Sequence, residues 1–535
     1  MRPVSISIVI FRVMVMAPFC LAPWISHAHI GQKNIIQQAV IGEYPARITI
    51  KKPDVIPGIA RIFIRFQDNP ELESVTVLPI QSDLGKKGSP PPDPALPVKG
   101  EPGLYEGELW IMTSMPHSIT VTAKGPLGEG TAFVPFTPMA TNTPSMNGLM
   151  TIILIALMAV LIFLLLSIIR QSVLYSTLEP GINPDKPRII RANTATIVGL
   201  LVIGLILFGG KKWWDEEEKN YTDNRLYSPA ELTADVYDIR ELTGDASSRH
   251  MMRLEFPEES FRRKGPLVPD HGKLVHVFVV PVDESAGSVA HLHPIKFLRN
   301  TFWTTLPDLP AGNFHLFADV THETGYAQTF VGKLDTNSQS RTADDLGEIE
   351  SRWLSDIQGV SDPDDSWVSL AQSQELEIDN NLFTFDDGIS VRWLGGQSTD
   401  PSDQLEFEII DESGQPVQPD PYLGMRAHAT VVGKQGTIYT HLHPVGSISM
   451  AAMQLFELRD SGKIPSQIGQ FEPVCQLPSV DESLDQWLKM SASKRPGHVV
   501  FPYIPPESGS YRVWIQFKLG RKIYTAFMPM NLRDS

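Results

Sequence analysis

The chain has 535 residues, of which 42% are hydrophobic, and a formal net charge of −16. That length suits three or four units, each with its own core. The acidic balance, with no cluster of Lys and Arg, excludes a nucleic-acid-binding protein, whose phosphate contacts need grouped cations. The only two cysteines are Cys20 and Cys475. With Cys20 in a segment expected to be removed, no intramolecular disulfide forms and packing alone holds the fold. Cys475 reads as a small buried hydrophobe.

The N-terminus reads as a secretory signal. Arg2 and Arg12 supply positive charge, residues 13–25 are mostly apolar, and Ser26-His27-Ala28 places small residues before a cleavage site. The expected signal is residues 1–28, leaving His29 at the mature N-terminus; an uncleaved anchor is the alternative. Residues 29–139 read as an extracytoplasmic β-sandwich, because runs such as Ala46-Arg47-Ile48-Thr49-Ile50-Lys51 alternate at the strand period. The Pro-rich residues 89–97 interrupt it as a loop.

Residues 148–169 and 192–210 are uncharged and long enough to span a bilayer. The loop between them, 170–191, carries Arg170, Lys186, Arg188 and Arg191, which predicts a cytoplasmic position. Both large flanking regions then lie outside. The expectation is a bacterial inner (cytoplasmic) membrane protein with its domains in the periplasm. Lys211 and Lys212 count slightly against this orientation.

A charged tether is expected over 215–230, then β-sandwiches over 231–335 and 374–532, joined by an acidic linker, 336–373, with one short helix. Residues 450–461 have helical composition. Each unit closes with Gly, an aromatic and an alternating strand: Gly103-Leu104-Tyr105, Gly312-Asn313-Phe314 and Gly509-Ser510-Tyr511. The fold class predicted is mainly β, with three immunoglobulin-like β-sandwich units plus two transmembrane helices.

The chemistry concentrates in Ala290-His291-Leu292-His293-Pro294 and its echo Thr440-His441-Leu442-His443-Pro444. Each follows a strand with its own histidine, His276 or His428. Residues i and i+2 of a strand share a face. A two-residue turn at Lys434-Gln435 would set His428 opposite His441, with His443 diagonal. The earlier loop is two residues longer, an even change that keeps the facing. Two metal-binding patches are therefore expected: His276, His291 and His293, and His428, His441 and His443. Neutral imidazoles suit copper, zinc, nickel or iron, and Cu(II) binds such ligands most tightly. Copper is the expected ion, with zinc the alternative. Further candidates are His29 through its amine and imidazole, His271, His315, His322, and Met425 and Met450 as soft ligands.

The bland alternative is a hydrogen-bonding network closing each sandwich. No nucleotide loop, nucleophile elbow or His-Glu-x-x-His helix occurs, so no catalytic residue is assigned.

At these motifs the sequence resembles a group of bacterial membrane-anchored envelope proteins with paired His-Leu-His-Pro motifs. The resemblance rests on Ala28-His29-Ile30-Gly31, Val55-Ile56-Pro57-Gly58, His441-Leu442-His443-Pro444, Ser447-Ile448-Ser449-Met450 and Phe501-Pro502-Tyr503. It implies a shared architecture and a metal-related role. The expected function is transition-metal binding or homeostasis at the membrane, with metal-handling envelope proteins as partners. A metal-free adhesion or scaffold protein and a copper-dependent oxidase are the competing readings.

Overall fold

Strands with one apolar face have to pair and cover that face, and the chain does this repeatedly. The computed structural model describes residues 34–144, 146–179, 181–243, 250–284, 286–338, 340–357, 361–369, 381–395, 404–465 and 495–532; the signal segment, His29, Cys20 and Cys475 lie outside these residues. The protein is β-rich, with several small, mostly antiparallel sheets and two long apolar helices.

In the first unit, Tyr44–Lys51 buries Tyr44, Ala46, Ile48 and Ile50 and turns Pro45, Arg47, Thr49 and Lys51 outward. It pairs with Asn34–Ile41 and Gly58–Phe66, and Leu104–Ile111 extends the sheet. A second sheet of Ser74–Gln81, His117–Gly125 and Gly128–Phe136 faces it. Ile48, Ile62, Val77, Ile119 and Val134 interleave between the two as one core.

The second unit pairs a sheet containing His276–Pro281, Val289–Leu292, Asn313–His322 and Ala327–Asp335 with one containing Thr233–Asp238, His250–Glu255 and Thr301–Thr305. The third pairs His428–Gly433, Ile438–Leu442, Gly509–Leu519 and Lys522–Leu532 with Leu382–Thr384, Ser390–Gly395, Leu405–Ile410 and His498–Phe501. Each pair of sheets has its own apolar core.

These units are packed together. Phe278, Val280, Val289 and Phe317 of the second unit meet Val432, Tyr439, Trp514 and Phe527 of the third in a separate buried cluster. Phe317 stacks on Tyr439 at 4.2 Å and 9°. Met425, Val445, Ile448, Met450 and Met453 of the third unit enter the core of the first. The helix Met450–Asp460, started by a hydrogen bond from Ala452 N to the Ser449 hydroxyl, is buried between units.

The helices Gly148–Tyr175 and Lys186–Arg225 are long and apolar enough to cross a membrane. Asn147 and Asp185 cap their N-termini. Their Leu, Ile and Phe side chains are exposed along both faces, as Phe163 and Leu205 show, a surface that water does not tolerate. The second helix runs on to Arg225, where the sequence suggested a tether. At about 1.5 Å per residue its length is roughly 60 Å, twice a hydrocarbon core. The expected acidic linker is also partly woven in: Arg341–Thr342 pairs with Tyr237 and Asp238, Glu348–Ile357 is helical, and Ser366–Val368 adds to the sheet beside His291.

Candidate metal centre

Strand alternation builds the site. In His428–Gly433, Ala429 and Val431 enter the core of the third unit, while Val432 on the opposite face meets the second unit. His428 and Thr430 share that opposite face. In His276–Pro281, Val277 and Val279 enter their own core, and Phe278 and Val280 turn outward with His276. The two motifs therefore face each other across the interface.

The expected register is corrected by two residues. Gly433 pairs with Ile438 and Thr430 with His441, so His428 comes opposite His443 rather than His441. The cause is a wider turn over Lys434–Gly436, with Gln435 in the left-handed region at φ 54. An even slip leaves every ring on its expected face. In the second unit Phe278 pairs with His291, which sets His276 against His293 in the same way.

The two triads have nearly identical geometry. Ring centroids of His276–His291, His276–His293 and His291–His293 lie 5.4, 5.0 and 4.5 Å apart, at 33°, 85° and 54°. The corresponding rings, His428–His441, His428–His443 and His441–His443, lie 5.4, 5.0 and 4.6 Å apart, at 34°, 87° and 60°. Such repetition ties the arrangement to the backbone of the motif rather than to one accident of packing. In each triad the three ligand atoms lie within 4.8 Å of one another.

Hydrogen bonds decide where the lone pairs point. His276 Nε2 lies 3.0 Å from the Asp270 carbonyl, which only accepts. His291 Nδ1 lies 2.9 Å from Gln516 Oε1, whose amide nitrogen bonds Ser366 and Thr525. Each neutral ring has one proton and has spent it there. His276 Nδ1 and His291 Nε2 then face each other at 3.2 Å with two lone pairs. In the third unit His428 Nε2 donates to the Tyr422 carbonyl at 3.0 Å and His441 Nδ1 faces Asp319 at 3.5 Å. His428 Nδ1 meets His441 Nε2, again at 3.2 Å. Two imidazoles on a tetrahedral ion, each at about 2.0–2.1 Å, stand about 3.3 Å apart. His293 Nδ1 donates to Asp365 at 3.0 Å, and its buried Nε2 has no partner.

Protons do not substitute for an ion here. Burial, reinforced by neighbouring imidazoles, lowers His291, His293, His428 and His443 well below the ordinary histidine value. Burial also lowers His276, to about 4. These rings are neutral ligands at neutral pH.

The orienting acceptors cross the interface. Gln516 of the third unit holds His291 of the second, and Asp319 of the second faces His441 of the third. Gln516 and Asp319 occupy corresponding places, opposite His428 and His276 on the adjoining strands. The site thus has an approximate two-fold relation between units.

The other candidates divide. His271 joins the cluster, its Nε2 3.2 Å from His443 Nε2. Met425 and Met450 do not belong to it: they are buried in the apolar core of the first unit. His315 packs beside Phe317, and His322 donates from Nδ1 to the Gly265 carbonyl at 2.8 Å. Three participants had no sequence signal of their own, namely Asp319, Gln516 and Asp365. Asp365 sits in the acidic turn read as linker, where Lys273 ties down Asp362 and Asp364. A cavity of about 170 Å³ adjoins the cluster where all three units meet, walled by Lys52, Thr137, Asp319, His271, His441 and His443 among others.

Residues 384–533 match a family described as a domain of unknown function (DUF8832). No curated protein matches the chain. Among solved structures, a Br derivative of BhCBM56 is similar at 13% identity, TM-score 0.14, over 19% of this chain and 98% of that one. The FN1–FN3 domains of chicken CNTN1 are similar at 7% identity, TM-score 0.13, over 91% and 97%. A biofilm associated protein, BSP domain, is similar at 7% identity, TM-score 0.14, over 96% and 68%. Scores this low carry no functional argument.

Proposed function

We propose that this chain is a membrane-anchored protein whose extracytoplasmic, immunoglobulin-like β units bind transition-metal ions, copper foremost. One observation carries the reading. In each triad two ring nitrogens face each other at 3.2 Å, and in the first both rings, His276 and His291, have already committed their other nitrogen to an oxygen acceptor. A purely structural network would pair donors with acceptors. Between His276 and His291 an acceptor faces an acceptor, an arrangement a cation relieves.

Copper is favoured by the ligand set, since imidazole sites bind Cu(II) above other first-row divalent ions, and zinc is the alternative. The signal at 1–28, the spans 148–169 and 192–210 and the basic loop 170–191 support a periplasmic placement of the units 29–139, 231–335 and 374–532 at the inner membrane. Handing metal to other envelope proteins is the role such a site would fill.

The test is metal content and competition titration of the full chain in detergent, for Cu(II) and Zn(II). The wild type should hold two ions. His291→Ala and His441→Ala should each abolish tight binding of one, a loss beyond the roughly 10–100-fold that removing an outer-sphere partner costs. Equal binding by wild type and variants would overturn the reading in favour of a metal-free scaffold.

A further inference from the structure

The two copies of the motif are alike for longer than the histidines show. Pro269-Asp270-His271-Gly272 precedes His276, and Pro421-Tyr422-Leu423-Gly424 precedes His428, at the same spacing. His271 and Leu423 hold the same left-handed conformation, φ 52 and 50, and the following glycines are at φ 80 and 72. The residues before them, Asp270 and Tyr422, supply the carbonyls that receive His276 and His428. The turn is one structure used twice. Because Leu423 occupies it, the turn itself does not require histidine.

His271 nevertheless reaches across the interface to the triad of the other unit. Its Nε2 lies 3.2 Å from His443 Nε2, and its ring centroid is 4.7 Å from His443 and 5.4 Å from His428. To His443 and His428 these separations fall within the range found inside the first triad, 4.5–5.4 Å, while His271 stands outside the group of three whose ligand atoms all lie within 4.8 Å of one another. The ring is buried. The corresponding residue of the other copy, Leu423, carries no ligand atom in its side chain.

We propose that His271 is a fourth imidazole ligand of the second triad, so that the chain holds two unequal ions. One rests on three histidines of the second unit. The other rests on four histidines drawn from both units, and its binding fastens the second unit to the third. This rests on the metal-binding reading above and adds the coordination number and the cross-link. A three-imidazole ion retains a position for a further ligand, while four protein ligands close a tetrahedral shell. The two ions should therefore differ in affinity and in exchange with external ligands.

The experiment loads the full chain with Cu(II) and records its electron paramagnetic resonance spectrum together with stepwise affinities. His271→Leu places there the residue the equivalent turn already accepts. His271→Asn, a residue that tolerates left-handed backbone, is the second variant. Both should leave two ions bound, shift the signal of one only, and weaken that one by roughly tenfold or more, at least the effect of an outer-sphere partner. Leu423→His should alter the signal of the other ion. If His271→Leu and His271→Asn leave both signals and affinities unchanged, His271 is a hydrogen-bonding neighbour and the proposal fails while the triads stand. If His441→Ala also leaves binding unchanged, the metal-binding reading itself has failed.

Discussion

At the residue scale, the acceptors behind the imidazoles matter as much as the imidazoles. Gln516 Oε1 fixes which nitrogen of His291 carries the proton. Gln516→Leu removes that acceptor, frees the ring to turn and should cost about 10–100-fold in affinity at the first ion while sparing the second; stepwise titration reads this directly. The buried histidines also set an acid limit on the metal-free protein. Burial brings His276 and His322 to about 4, against an ordinary value near 6.5. Between those values the unfolded chain binds more protons, so stability falls as pH drops from about 6.5 to 4, by at most about 1.4 kcal/mol per pH unit for each such ring. Asp270 and Asp365, raised by burial to about 6, act oppositely over about 4 to 6, but depressed histidines outnumber them. Denaturant midpoints measured across this window should decline with acid, and less steeply in His322→Asn. The six triad histidines were legible because spacing on strands carries facing. Gln516 was not, because it lies 225 positions from His291 and only tertiary packing joins them.

At the scale of elements, turn chemistry outweighed the simplest hairpin rule. A Gly433-x-x-Gly436 pattern suggests two turn residues, yet Gln435 enters the left-handed region and the loop takes four. Facing survived because the error was even. The docking of the first unit depends on Gly446, at φ 140, where an added Cβ would lie 2.1 Å from the Ile36 carbonyl oxygen. Gln38 N to Val445 O at 2.7 Å and Ser447 N to Ile36 O at 3.0 Å flank this approach. Gly446→Ala should therefore loosen the first unit from the third, seen as earlier proteolysis and a lower melting temperature. The helix Lys186–Arg225 was legible only over its apolar half. Its acidic continuation has no hydrophobic face, and composition alone reads such a stretch as a tether.

Across the whole molecule, the interface between the second and third units was hidden in plain composition. Runs such as Val275-His276-Val277-Phe278-Val279-Val280 are buried on both faces, and a two-sided apolar strand does not announce which side meets another unit. Trp514, buried there with its indole N–H on the Gly287 carbonyl at 2.8 Å, anchors that contact. Trp514→Ala should cost about 3–5 kcal/mol and weaken both proposed ions together, because each triad meets an acceptor from the opposite side. Membrane orientation has an equally direct check. A thiol from Asn183→Cys should be labelled only after the membrane is permeabilised, and one from Ser89→Cys from the periplasmic side, if the basic loop faces inward.

The near-repetition of one half-site by the other, within a single polypeptide, has a chemical consequence. A homodimer built on the same axis has to repeat every residue on both sides, so any change made for one ion is forced on its twin. Fused copies escape that obligation. Here Asp319 stands where the other copy has Gln516, and His271 where it has Leu423. One side can be drawn towards secure retention and the other towards release, by substitutions that a symmetric assembly could not make one at a time.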